Sequence, residues 1–70
     1  MEYTREGLLE AKRQIDSTLR KLREVVRTLE AKDERTRYRS QLTLARRRIK
    51  AFEIANDLIE NALKSRENID

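Results

Sequence analysis

The chain has 70 residues, enough for one small domain, of which 43% are charged and 37% are hydrophobic. It contains neither cysteine nor histidine. This excludes disulfides, zinc sites built from those residues and the commonest general base. We therefore expect no enzymatic activity, no cofactor, no metal and no small-molecule substrate.

The net charge of +4 is spread unevenly along the chain. Residues 12–50 hold 14 Lys and Arg against 5 Asp and Glu, whereas the two ends together hold 3 against 8. The middle of the chain is therefore basic and both ends are acidic. No apolar run approaches the roughly 20 residues that span a bilayer, and the N-terminus lacks the apolar stretch of a secretion signal. We expect a cytoplasmic protein with no membrane contact.

A first helix is predicted over about residues 4–31. Thr4 can cap its N-terminus, since a threonine hydroxyl accepts a backbone N–H of the first turn. The apolar residues then recur at helical spacing on one face, at Leu8, Ala11, Ile15, Leu19, Leu22, Val26 and Leu29.

A second helix is predicted over about residues 34–66, after a turn near residues 32–35. Its apolar face repeats at spacings of four and three, at Tyr38, Leu42, Ala45, Ile49, Phe52, Ile59 and Leu63, interrupted by Asn56. Tyr38 follows Leu29 by nine positions instead of seven, so one continuous helix would carry polar residues into this face. Asp33 is the best N-cap candidate, although the absence of Gly and Pro near the turn leaves a single long helix open.

An antiparallel hairpin gives these two apolar faces, together called the seam, a common register. Facing residues should have position numbers with a constant sum, and Leu22 with Ala45 and Leu19 with Ile49 give 67 and 68. At a sum of 68, Asn56, the one polar seam position of the second helix, faces Lys12. A single polar layer in an apolar seam fixes register at some cost in stability. We therefore predict an all-α hairpin, a single domain over residues 1–70, with a register-setting polar layer.

A second apolar line lies beside the seam of the second helix. Two helices cannot cover it, and soluble monomers rarely leave such a patch exposed. We expect a homodimer in which two hairpins form a four-helix bundle. The expected dimer interface consists of Leu9 and Val25 on the first helix, widened by Ala11 and Thr18, and Leu44, Ala51, Ala55, Leu58 and Ala62 on the second.

A basic cluster follows the turn, and arginine suits bidentate contact with phosphate. Its candidates for contact with a nucleic acid, an anion or an acidic protein partner are Arg35, Arg37, Arg39, Arg46, Arg47, Arg48 and Lys50. The alternative is a solvated face, because the cluster lacks interleaved aromatic residues and any known nucleic-acid motif. Glu53, Asp57 and Glu60 form an acidic edge, for which we expect salt bridges and solvent rather than a metal ion.

The expected architecture is similar to that of the plasmid copy-control RNA-binding protein, a dimer of two-helix hairpins. That similarity implies RNA or DNA binding as the alternative to a purely structural interaction module. Residues 13–16, Arg-Gln-Ile-Asp, also resemble the Arg-x-x-Ile-Asp stretch of the all-helical chorismate mutases, with one residue fewer between Arg and Ile. That family has a third helix with no counterpart in this chain.

Overall fold

A computed structural model of the chain describes residues 2–32 and 35–67, without the side chains of Arg35, Arg66 and Glu67. This part of the chain forms two α-helices, α1 at Arg5–Glu30 and α2 at Arg35–Glu67, and no strand. The two helices pack against each other as a hairpin measuring 54 × 18 × 15 Å. The predicted helical hairpin is confirmed, and the helix ends agree with the predicted ones to within one residue.

Helix α1 begins where the sequence provides a cap. Thr4 has an extended backbone, and its Oγ1 accepts the backbone N–H of Gly7 at 2.9 Å. The carbonyl of Thr4 accepts the N–H of Leu8 at 3.0 Å, which starts the helical ladder. The cap thus satisfies a donor that the first turn of a helix otherwise leaves unpaired.

Helix α1 ends at Glu30, where the apolar repeat of the sequence stops. Ala31 keeps a right-handed helical backbone, and its N–H donates to the carbonyl of Arg27 at 3.1 Å. No described residue has a positive φ, so the chain leaves α1 without the glycine that commonly closes a helix. The predicted N-cap of α2, Asp33, lies outside the described residues.

The core consists of side chains from the predicted seam. Its buried members are Leu8, Leu19 and Leu29 of α1 and Leu42 and Ala45 of α2. The remaining seam residues are half-buried, and no described side chain is more than 98% buried. Each helix thus turns one stripe toward its neighbour and leaves most of its circumference in solvent.

Several large apolar side chains lie outside this core. Leu58 is 65% exposed, Leu44 48% and Val25 45%, and Ile54 is exposed on the side of α2 that faces away from α1. Neither described helix contains a stretch long and apolar enough to cross a membrane.

We expect Leu19→Ala to lower the free energy of unfolding by about 2–4 kcal/mol, because it leaves a cavity in the core. Leu19 is only 4% exposed. Ile54→Ala is the matched control and should change stability by less than about 0.5 kcal/mol, since exposed positions contribute little. Urea unfolding followed by circular dichroism measures both values. Equal effects of the two substitutions would contradict the assigned core.

Candidate interaction surfaces

One side of the hairpin is closed by polar contacts between the helices, and we call it the ion-paired side. Arg46 donates to Glu30 at 2.7 Å, and Arg23 donates to Glu53 at 3.1 Å. Near the chain ends, Asn56 donates to Asp16 at 2.7 Å, and the ammonium group of Lys12 lies 3.2 Å from a carboxylate oxygen of Glu60. Each contact joins α1 to α2, so together they connect the two helices along most of one edge of the seam.

The spacing of these residues explains why they meet. Asp16, Arg23 and Glu30 recur every seven residues on α1, as do Arg46, Glu53 and Glu60 on α2. A repeat of seven keeps side chains on nearly one line of a helix. The two lines run in opposite directions, so Glu30 faces Arg46, Arg23 faces Glu53, and Asp16 comes level with Glu60.

Two carboxylates would therefore approach each other at Asp16 and Glu60, and Lys12 separates them. Its Nζ lies 3.1 Å from Oδ2 of Asp16 and 3.2 Å from Oε1 of Glu60. The amide of Asn56 donates to the other oxygen of Asp16, Oδ1. We call these four residues the polar cluster. The side chains of Lys12, Asp16 and Glu60 are 29%, 45% and 43% exposed, so water reaches all three charges.

The polar cluster shifts the titration of two of its members. Hydrogen bonds from Asn56 and Lys12 favour the charged carboxylate and hold the pKa of Asp16 below its ordinary value of 3.8. Hydrogen bonds to Asp16 and Glu60 raise the pKa of Lys12 above its ordinary value of 10.5. Oδ1 of Asn56 is buried and accepts no hydrogen bond among the described residues. The amide cannot be turned around without facing this oxygen toward the carboxylate of Asp16.

Lys12 and Asn56, the two residues of the predicted polar layer, are therefore linked through Asp16, whose carboxylate accepts a hydrogen bond from each of them. The sequence argument missed the roles of Asp16 and Glu60. Helical side chains lean toward the N-terminus of their own helix, so contacts across an antiparallel pair join residues with a larger position sum than the backbones alone suggest. The recorded contacts have sums of 72 and 76, whereas the seam was tested only at 67 and 68. The available signals were the opposite charges of Lys12 and Glu60 at a sum of 72, and those of Arg23 with Glu53 and Glu30 with Arg46 at a sum of 76.

The other side of the hairpin carries the second apolar line, and we call it the open side. Leu44 and Arg46 flank the buried Ala45, each about 100° away around the helix, so Leu44 lies opposite the ion-paired side. On α1, the open side is formed by a line of residues seven positions apart, each of which directly precedes Lys12 or a seam residue in the sequence. The open side comprises Ala11, Thr18 and Val25 of α1 and Leu44, Ala51, Ala55, Leu58 and Ala62 of α2.

The predicted interface residues do not all share the open side. Leu44, Ala51, Leu58 and Val25 are exposed there, and Ala55 and Ala62 are half-buried. Leu9 stands seven residues before Asp16, on the line that carries the ion pairs. The structure therefore brings six of the seven candidates to one surface and leaves Leu9 on the ion-paired side.

The basic residues predicted to form one cluster point in several directions around α2. Arg46, Arg47 and Arg48 are consecutive, so their directions differ by about 100° each. Arg39 and Lys50 lie on the side of Arg46, whereas Arg37 and Arg48 lie on the open side and Arg47 points away from α1. The side chain of Arg35 lies outside the described set. The seven residues therefore do not form a single face.

A groove of about 600 Å³ opens on the ion-paired side near the turn. Helix α2 lines it with alternating hydroxyl and guanidinium groups at Thr36, Arg39, Thr43 and Arg46, above Leu42. Glu30 of α1 closes it and already binds Arg46. The groove therefore combines two cations with one carboxylate.

Two cations also gather at the aromatic ring of Tyr38, next to the turn. The Nζ of Lys32 lies 5.3 Å from the ring centroid and the guanidinium carbon of Arg37 lies 5.6 Å from it, within the range of a cation–π interaction. At the opposite end of the hairpin, Glu53 and Glu60 of the acidic edge contact cations of α1. The described residues include no group of three acidic, histidine or cysteine side chains that could hold a metal ion.

Comparisons of the chain with models of protein families, with curated proteins and with solved structures found no match in any of the three.

We expect Asp16→Asn to make the hairpin less sensitive to acid. A carboxyl group whose pKa is lowered by folding stabilises the folded state above the unfolded-state pKa, and this contribution is lost as the pH falls through the folded-state pKa. As the pH falls below the ordinary Asp pKa of 3.8, wild-type stability should therefore drop by more than that of Asp16→Asn. Urea unfolding at a series of pH values measures the difference.

Glu24→Gln is the control for this experiment. Glu24 forms an exposed pair with Arg27 at 3.7 Å within one helix, and such pairs contribute little. This variant should keep most of the acid dependence of the wild type. An unchanged pH profile in Asp16→Asn would show that the polar cluster does not stabilise the fold.

Proposed function

We propose that the protein is a self-associating helical module, in which the open sides of two hairpins pack together as a four-helix bundle. The observation that carries this proposal is the row of exposed apolar side chains on the open side, with Leu44, Leu58 and Val25 at 45% to 65% exposure. Complete burial of an exposed leucine or valine contributes about 1.5–3 kcal/mol, and roughly half of that remains to be gained at each of these half-exposed side chains. Self-association provides that burial without any other component.

The total accessible surface supports the same proposal. The hairpin exposes 6017 Å², whereas a compact monomer of 8.4 kDa is expected to expose about 4,600 Å². The excess is about 1,400 Å². Stable interfaces of standard size bury about 800 Å² on each partner, and obligate homodimers bury more. The excess is therefore of the size that one subunit of an obligate dimer would bury.

The side chains near the chain ends suit close packing of two hairpins. Gly7 and Ala11 of α1 and Ala51, Ala55 and Ala62 of α2 are all small. Small residues let helix backbones approach, while Leu44 and Leu58 provide the larger apolar contacts. On the ion-paired side, Lys12, Arg23 and Arg46 already have carboxylate partners within one hairpin, so these three cations have less to gain from a second copy.

We expect Leu58→Glu and Ala51→Glu to convert the dimer to monomers. Both residues are exposed in the single hairpin, so glutamate is accommodated there, whereas in the dimer it would be buried without a partner at a cost of several kcal/mol. The dissociation constant should rise by about 100-fold or more. Light scattering coupled to size-exclusion chromatography measures the mass.

Ile54→Glu is the matched control, because Ile54 is 53% exposed and lies outside both apolar lines. It should leave the mass of the assembly unchanged. Dimers that persist in both open-side variants would contradict the proposed interface. Dissociation caused equally by Ile54→Glu would place the interface elsewhere on α2.

A second candidate function is binding of RNA or DNA through the groove near the turn. The supporting observation is the regular row of Thr36, Arg39, Thr43 and Arg46 on one line of α2. Arginine and hydroxyl side chains are common phosphate ligands, and Lys50 extends the row by one turn. This row lies away from the open side, so a dimer of hairpins would leave it accessible.

We expect Arg39→Ala to weaken binding to a labelled RNA hairpin, if this second function operates, and to reduce the salt dependence of the affinity by about one unit of slope. Arg47→Ala removes the same charge from a position that points away from the groove. It should have a clearly smaller effect. Fluorescence anisotropy at several salt concentrations measures both, and equal losses in the two variants would argue against a site in the groove.

A further inference from the structure

Two exposed leucines on the open side of α2 are placed symmetrically about Ala51. Leu44 lies seven residues before Ala51, and Leu58 lies seven residues after it. Between these leucines, Arg48 precedes Ala51 by three residues and Ala55 follows it by four. When two copies of α2 run antiparallel about a twofold axis at Ala51, Leu44 of each copy comes level with Leu58 of the other. Arg48 then comes within one residue of the level of Ala55 on the other copy.

We propose that the two hairpins pack antiparallel, with the turn of one beside the chain ends of the other and α2 against α2 near Ala51. This inference rests on the proposed self-association and adds its alignment. The occupant of the open side is then a second copy of this chain, in one defined orientation.

The charges on the open side favour this alignment. Along both helices the charged residues at or beside the open-side lines are Lys21, Arg37 and Arg48, and all three lie in the half of the hairpin that contains the turn. A turn-to-turn dimer would place each cation near the same cation of its partner. The antiparallel dimer places them along the alanine-rich half of the partner, where long arginine and lysine stems can cover apolar surface.

The charge of the whole chain points the same way. Residues 18–49, which include the turn, hold 11 Lys and Arg against 4 Asp and Glu, a net charge of +7, and the remaining residues hold 6 against 9, a net charge of −3. Each hairpin is therefore positive at one end and negative at the other. Antiparallel packing brings opposite charges together over the 54 Å length of the hairpin, whereas turn-to-turn packing brings like charges together.

Spin labels on single cysteines test the alignment, because the chain has no cysteine of its own. Ser40→Cys and Arg47→Cys introduce labels at exposed positions outside the open-side lines. Ser40 lies eleven residues from Ala51 and Arg47 lies four residues from it. In the antiparallel dimer the two copies of residue 40 are separated along the axis by about 33 Å, and the two copies of residue 47 by about 12 Å.

Pulsed electron paramagnetic resonance should therefore give a clearly longer distance between the labels at position 40 than between those at position 47. Equal distances at the two positions would overturn the antiparallel alignment and leave self-association intact. The mass of each labelled sample is measured by light scattering. A monomer mass with no dipolar signal at either position would overturn the proposed self-association itself.

Discussion

Two helices can cover only one stripe of each other, and this geometric limit governs the rest of the structure. The hairpin buries five apolar side chains, Leu8, Leu19, Leu29, Leu42 and Ala45, and leaves large apolar residues in solvent. Chains of this size rarely gain enough from one core to be stable without disulfides, metals or a partner. This chain has no cysteine or histidine. We therefore propose association through the open side as the source of additional burial.

The polar contacts decide which side of the hairpin stays open. Glu30 with Arg46, Arg23 with Glu53 and the polar cluster all lie along one edge of the seam. Each is exposed and individually weak. Together they favour the register in which Glu30 faces Arg46 and Arg23 faces Glu53, with Lys12 placed between the carboxylates of Asp16 and Glu60. The opposite edge is lined by exposed apolar side chains such as Leu44 and Leu58, which a second hairpin would cover in the proposed dimer.

The sequence was sufficient to predict the hairpin, because a seam of sixteen positions at helical spacing allows few other arrangements. It also marked Lys12 and Asn56 as a polar layer. It did not reveal that Asp16 joins them, since the lean of side chains along antiparallel helices displaces contacts by about one turn. The clustering of basic residues in the sequence places them near the turn but does not define one face of α2, because consecutive arginines such as Arg46 and Arg47 point in different directions on a helix. Leu9 and Val25 are both apolar, but Leu9 lies on the ion-paired side of α1 and Val25 on the open side.

The most direct test of the account is the concentration dependence of folding. If the hairpin depends on burial of its open side, the wild-type chain should sediment at twice its 8.4 kDa mass at micromolar concentration. Its thermal midpoint and its helical circular dichroism signal should both fall on dilution, since association stabilises the folded state by mass action. A fully helical monomer of 8.4 kDa, with a midpoint independent of concentration, would contradict it.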